Sequence, residues 1–268
     1  MDFLRMLEDI RTPVTDVIFQ GLTYLGEQVV ILILVMAIYW CADRKRGIYL
    51  MYVLVTGSAV NNLLKGIFCI PRPWVKDPAF TIVESARGSA GGYSFPSGHS
   101  QAAGSCYFGL AKTSKNRTAQ YIEIGLAFLI GFSRMYLGVH TPLDVGVSLL
   151  IAAVLVFVTD AVCRKHEDGP GSWMVPLFLF LTAVCAAQIV HQTFLQQAAS
   201  VDPVNSEETL VTSYKITGLA AGMMLGIWLE ETKVRFNPDA PIWVQIVKAA
   251  VGLAGFLGIQ KGLKAPLN

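Results

Sequence analysis

The chain has 268 residues, of which 53% are hydrophobic and only 15% charged, against roughly 25% charge in an ordinary soluble domain. Its apolar residues run together over the ~20 helical positions that a bilayer crossing needs, which excludes a soluble globular fold. A formal net charge of +2 gives no footing for a nucleic-acid partner.

In lipid, backbone groups are satisfied only within helices or a closed barrel. The apolar runs here are continuous rather than alternating, so the sequence predicts an all-α, polytopic membrane helical bundle of about eight transmembrane helices with an N-terminal interfacial helix. Residues 2–11 place Phe3, Leu4, Met6, Leu7 and Ile10 on one helical face, with Asp2, Arg5, Glu8, Asp9 and Arg11 elsewhere. This pattern suits a helix lying in the membrane surface. The chain start has no basic head followed by a pure apolar run and a small-residue cleavage site, so no cleaved signal peptide is expected.

Spans are predicted near 18–41, 47–69, 97–111, 119–136, 142–162, 173–193, 211–229 and 242–262. The second carries Asn61, Asn62 and Lys65 towards its end, where polar groups face a cavity rather than lipid. Residues 70–97, rich in Pro, Gly and Ser, make the longest connection of the first half. The predicted organisation is an interfacial segment (1–17), a catalytic core (18–165) and additional transmembrane helices (166–268). The five cysteines lie in or beside apolar segments without metal-ligand spacing and read as small buried hydrophobes.

Basic residues gather in the turns after spans one, three, five and seven: Arg44, Lys45 and Arg46, then Lys112, Lys115 and Arg117, then Arg164 and Lys165, then Lys233 and Arg235. By the positive-inside rule these turns are cytoplasmic. Three polar clusters then share the extracytoplasmic side: Lys65 to Pro73, Ser94 to Ser100, and Ser133 to Asp144.

Those clusters hold the parts for phosphoryl transfer. Such a reaction needs the charge on the phosphoryl oxygens neutralised, so cations and positioning do most of the work. Arg72 and Arg134 offer forked donors for phosphate and Lys65 adds a point charge. Ser97 and Gly98 open a helix, whose first turn presents free N–H groups to an anion. His140 and Asp144 are spaced to share a helical face across Pro142, so the carboxylate can hold one ring nitrogen while the other attacks phosphorus. His99 is the candidate general acid. With three cations already facing the phosphate, neither metal nor cofactor is required.

The pattern K-x6-R-P (Lys65 to Pro73), P-S-G-H (Pro96 to His99) and S-R-x5-H-x3-D (Ser133 to Asp144) resembles the three-part signature of the type 2 phosphatidic acid phosphatase superfamily. That group includes lipid phosphate phosphatases, glucose-6-phosphatases and vanadium haloperoxidases. The resemblance implies His140 as nucleophile, Asp144 as its partner, His99 as the acid, phosphate binding by Lys65, Arg72, Ser97, Gly98 and Arg134, and no metal. The first cluster ends the second span and further spans follow the fifth, an arrangement closer to sphingosine-1-phosphate phosphatases and glucose-6-phosphatases. The expected partner is a membrane lipid substrate (phosphatidate, a sphingoid phosphate or a polyprenyl diphosphate) in the cytoplasmic membrane. A sugar-phosphate phosphatase and a non-catalytic transporter or scaffold are the alternatives.

Overall fold

A computed structural model describes residues 1–165, 174–195, 202–234 and 238–264, which carry helices and no strand. They are α1 (Asp2–Asp9), α2 (Pro13–Tyr24), α3 (Gln28–Cys41), α4 (Arg44–Phe68), the short α5 (Pro73–Lys76), α6 (Gly98–Thr113), α7 (Arg117–Tyr136), α8 (Pro142–Lys165), α9 (Met174–Val190), α10 (Pro203–Leu229) and α11 (Ile242–Lys264). Among the described residues four stretches are long and apolar enough to cross a membrane: Arg44–Lys76, Pro142–Arg164, Met174–Phe194 and Pro203–Val234. The pair α2–α3 makes a fifth if it counts as one bent span. The chain is therefore a multi-pass membrane protein. Helices stand at all eight expected places, yet α6, α7 and α11 fall outside that set. α6 has 16 residues, α7 carries Arg117, Glu123 and Arg134, and the apolar part of α11 is short, Ile242–Phe256.

The start of α2 is set by a reciprocal cap. Thr12 Oγ1 accepts from the Thr15 N–H at 3.3 Å, Thr15 Oγ1 accepts from the Thr12 N–H at 3.0 Å, and Pro13 occupies the first turn. The expected span 18–41 is broken: α2 ends at Tyr24, α3 starts at Gln28, and their axes differ by 45°. Gly26 lies in the break, where an added Cβ would collide with Ile130 of α7.

α6 is the central helix, packed against α4, α7 and α8. Its small residues allow this, because helices in lipid approach through glycine and alanine. A Cβ on Gly104 would stand 2.7 Å from that of Ala152 on α8. Around α6, Ile31, Val35, Leu50, Val53, Ala103, Cys106, Ile130 and Val156 form one buried cluster. A second joins α4 to α9 and α10 through Tyr52, Val55, Leu181, Ile216 and Ala220.

A polar clasp lies beside that second cluster. Asn62 Nδ2 on α4 donates to Ser213 Oγ at 2.8 Å, to Gln188 Oε1 at 3.2 Å and to the Thr209 carbonyl at 3.2 Å. Gln192 Nε2 donates to the Asn62 carbonyl at 3.4 Å, and Ser213 Oγ donates to Gln192 Oε1. Each amide is satisfied by a neighbouring helix, which fixes α9 and α10 in register against α4.

The N-terminal helix divides its apolar face. Leu4 and Leu7 are buried on Phe80 and Ile82 of the long connection, while Phe3, Met6 and Ile10 stay exposed. Arg5 binds Asp77 at 2.7 Å, and Glu8 takes the Thr81 N–H at 2.8 Å. α1 thus straps down residues 77–82 as well as presenting an apolar edge.

Gly104→Val is expected to lower unfolding stability in detergent by about 1–3 kcal/mol, because the Ala152 Cβ cannot give way. Gly125→Ala, where nothing stands within 4 Å of an added Cβ, is expected to leave the melting temperature unchanged or slightly raised, since alanine is the better helix former.

Candidate active site

The three polar clusters meet at one end of α4, α6 and α8. Ser97 caps α6 through its hydroxyl, which accepts from the Ser100 N–H at 3.4 Å and from Ser100 Oγ at 2.9 Å, leaving its own O–H to donate. The Ser97 N–H donates to the Asp144 carbonyl at 3.1 Å, joining the second cluster to the third. Arg134 lies fully buried at the end of α7, and its carbonyl accepts from the N–H groups of Val139 and His140 at 3.1 and 3.3 Å. The turn so formed passes through Gly138, whose φ of +81° suits glycine.

His140 and Asp144 are each 2% exposed. Asp144 Oδ2 accepts from Ser94 Oγ at 2.6 Å and from the Thr141 N–H at 2.7 Å. His140 Nδ1 stands 3.5 Å from the same oxygen, outside good hydrogen-bond geometry. Ser94 and Thr141 already fill that oxygen, which keeps the imidazole at ion-pair distance. His140 Nε2 lies 2.8 Å from Arg72 Nη1. Since a guanidinium only donates, Nε2 is the acceptor and the proton resides on Nδ1, towards the carboxylate. Burial first, then the Arg72 charge, hold His140 well below the usual imidazole range despite the pull of Asp144. The ring is neutral at neutral pH and carries a lone pair on Nε2.

Arg72 donates from Nε to the Gly92 carbonyl at 3.0 Å, from Nη1 to the Val139 carbonyl at 3.1 Å and from Nη2 to the Gly91 carbonyl at 2.5 Å. Arg134 Nη1 reaches Thr23 Oγ1 at 2.9 Å and Ser89 Oγ at 3.3 Å, while its Nε has no hydrogen-bond partner. Lys65 Nζ donates to the Tyr93 carbonyl at 2.5 Å. Two of the anchors, Tyr93 and Ser94, precede the P-S-G-H motif, and two more, Gly91 and Gly92, precede them. Sequence reasoning missed all four as site residues, along with Thr23 and Ser89. Only Ser94 carried a signal, as the first residue of the second polar cluster.

A cavity of about 370 Å³ opens beside these groups. Of the eight expected residues, Lys65, Gly98 and His99 line it. Arg72, Ser97, Arg134, His140 and Asp144 form the buried layer behind. His99 makes no hydrogen bond to another described residue, so both ring nitrogens are free. An added Cβ on Gly98 would meet nothing within 4 Å; it would project into the cavity. Among the described residues no group of three or more His, Cys, Asp or Glu is placed to hold a metal ion.

This geometry has a family. Residues 46–167, which contain all eight positions from Lys65 to Asp144, match the PAP2 superfamily, and residues 214–268 match the transmembrane extension of PAP2 superfamily phosphatases. The chain belongs to the PAP2 superfamily. It is 32% identical over 169 residues to phosphatidylglycerophosphatase B of Bacillus subtilis, covering 58% of this chain and 79% of that protein. It is 26% identical over 240 residues to a probable sphingosine-1-phosphate phosphatase of Dictyostelium discoideum, covering 83% of this chain. It spans only 56% of the length of that second relative. The crystal structure of a transmembrane PAP2 type phosphatidylglycerolphosphate phosphatase from Bacillus subtilis superimposes with a TM-score of 0.53 at 26% identity, covering 63% of this chain and 86% of that one.

Gly98→Ala is expected to leave the melting temperature unchanged and to weaken inorganic phosphate binding roughly tenfold, as one backbone approach to the anion is lost. Calorimetric titration with phosphate checks this.

Proposed function

We propose that the protein is an integral-membrane phosphatase that hydrolyses a lipid phosphate or polyprenyl diphosphate through a phosphohistidine, without a metal ion, at the extracytoplasmic face. One observation carries the reading. His140 is neutral, has its Nδ1 proton towards Asp144 and its Nε2 lone pair towards a cation, beside a cavity into which Lys65, Gly98 and His99 project.

The steps follow from the positions. In the structure Arg72 caps Nε2. A phosphate entering at Lys65 and the Gly98 N–H offers oxygen acceptors that draw the guanidinium off Nε2 and onto the phosphoryl group. Nε2 then attacks phosphorus, the P–O ester bond breaks, and His99, protonated as the anionic substrate binds beside it, gives that proton to the departing oxygen. As the imidazole becomes positive its attraction to Asp144 grows, so the carboxylate stabilises the transition state more than the ground state. In the second half His99 takes a proton from water, the hydroxide attacks phosphorus and the P–N bond breaks. Inorganic phosphate leaves and His140 is restored. Arg134, held behind the turn, supplies fixed positive charge and a rigid backbone for His140.

The eight-pass topology belongs to this reading. It takes α6 and α7 as crossings whose polar residues face the site or the helix ends. Support for the orientation comes from the opposite end of the bundle. There Arg44 binds Glu230 at 2.8 Å, and Lys112 lies 3.3 Å from Asp160. The basic turns therefore collect away from the cavity, as the positive-inside rule requires of an outward-facing site. A lipid substrate fits because the cavity lies among helices the bilayer surrounds.

Purified protein in EDTA is expected to release phosphate from at least one of phosphatidate, sphingosine-1-phosphate, undecaprenyl diphosphate and glucose-6-phosphate, and His140→Ala to release none. Activity lost in EDTA and restored by a metal would refute the metal-free mechanism, and preference for glucose-6-phosphate would refute the lipid substrate. Ser94→Ala is expected to lower kcat roughly tenfold with KM little changed, since Asp144 loses a charge-assisted hydrogen bond.

A further inference from the structure

The cavity contains more than a phosphate site needs. Two carboxylates line it, Glu27 from the break between α2 and α3 and Glu208 from α10. Neither makes a hydrogen bond or ion pair to another described residue. Glu208 stands against the loop that holds Arg72. An added Cβ on Gly91 would come within 3.0 Å of the Glu208 carboxyl carbon, so the carboxylate packs directly on the glycine backbone. Deeper in, Gln101 is 1% exposed, and its Oε1 has no hydrogen-bond partner although its Nε2 donates to Ser105 Oγ at 3.3 Å. Gln101 lines the same cavity. The carboxylates and this carbonyl oxygen are all acceptors.

For phosphate alone this arrangement is adverse. Negative groups beside an anion site repel the ligand, and an unpartnered buried carbonyl costs free energy. Both penalties vanish for a ligand that brings a positively charged donor with its phosphate. Hydrocarbon tails of a phosphatidate or a prenyl chain bring none.

We propose that Glu208, aided by Glu27 and Gln101, is a specificity-determining residue that binds a cationic nitrogen carried a few atoms from the substrate phosphate, making an amino-alcohol phosphate the favoured substrate class. The proposal rests on the phosphatase reading above. It also gives the C-terminal helices a task. The clasp of Asn62 with Ser213, Gln188 and the Thr209 carbonyl locks α10 against α4, so Glu208 is presented to the cavity by a fixed wall. α10 acts here as the side of the chamber that reads what the phosphate is attached to.

The test uses two ligands that differ by one charge: a long-chain 2-aminoalkyl phosphate and its N-acetyl twin. Binding to the full chain is measured by calorimetry in detergent, and phosphate release is measured in parallel. Wild type is expected to bind the amine about tenfold or more tightly than the twin. Glu208→Gln should erase most of that preference through the affinity for the amine, while the neutral twin binds no more weakly than it does to wild type. Preference in wild type should also fall as pH rises through the ammonium pKa of the ligand. Equal binding of the twins by wild type, or a Glu208→Gln variant that keeps the full preference, overturns the proposal. A Glu208→Gln variant that loses both twins equally assigns Glu208 a structural role and overturns it too. Selective binding without any phosphate release would leave this proposal standing and refute the hydrolase reading instead.

Discussion

A chain surrounded by lipid must satisfy its buried polar groups from within, and at Asp144 that requirement gathers the whole site. Its Oδ2 takes the hydroxyl of Ser94 and the N–H of Thr141 and faces Nδ1 of His140. Its backbone carbonyl takes the N–H of Ser97. A side chain from the long connection, the cap of α6 and the start of α8 are thus tied to one residue that is 2% exposed. A buried carboxylate left short of partners would cost several kcal/mol, so the fold that meets this demand is also the one that sets His140 in its tautomer. Stability and reactivity share the same bonds.

The cations obey a related constraint. Arg72 and Arg134 are buried and lie near each other and near Lys65, an arrangement that repels itself. The protein offsets it chiefly with backbone carbonyls, Gly91, Gly92 and Val139 for Arg72, Tyr93 for Lys65, and Ser89 for part of Arg134, with Asp144 and Glu208 as nearby carboxylates. Carbonyl dipoles hold a cation in place without cancelling its charge. The positive field therefore stays available to an anion, and the same carbonyls can release a donor when a phosphate oxygen competes for it.

The parts of this design that repeat along the chain could be read from the sequence. The apolar runs located every long helix, and the spacing of Lys65, Arg72, Ser97, His99, Arg134, His140 and Asp144 marked residues that the fold does bring to one end of the bundle. Three features escaped that reading for physical reasons. The break at residues 25–27 interrupts an apolar run without a proline; only Gly26, Glu27 and Gln28 hint at it, and polar residues within a span do not say whether the helix bends. The anchoring carbonyls of Arg72 and Lys65 are backbone atoms, which every residue type possesses. The clasp of Asn62 with Gln188, Gln192 and Ser213 joins helices more than a hundred residues apart in the chain, a distance that no local pattern spans. α1 is an intermediate case: its amphipathic face was legible, but not that half of it would close on Phe80 and Ile82 rather than on lipid.

The central claim is that His140 becomes covalently phosphorylated. The most direct measurement is rapid quenching of the enzyme in alkali during turnover, which preserves a phosphoramidate, followed by mass-spectrometric mapping of the phosphorylated peptide. The account predicts phosphate on the His140 imidazole, appearing within one turnover and absent from His140→Ala. Active enzyme that shows no phosphohistidine at any time during turnover, or that carries the phosphate on another residue, would contradict it.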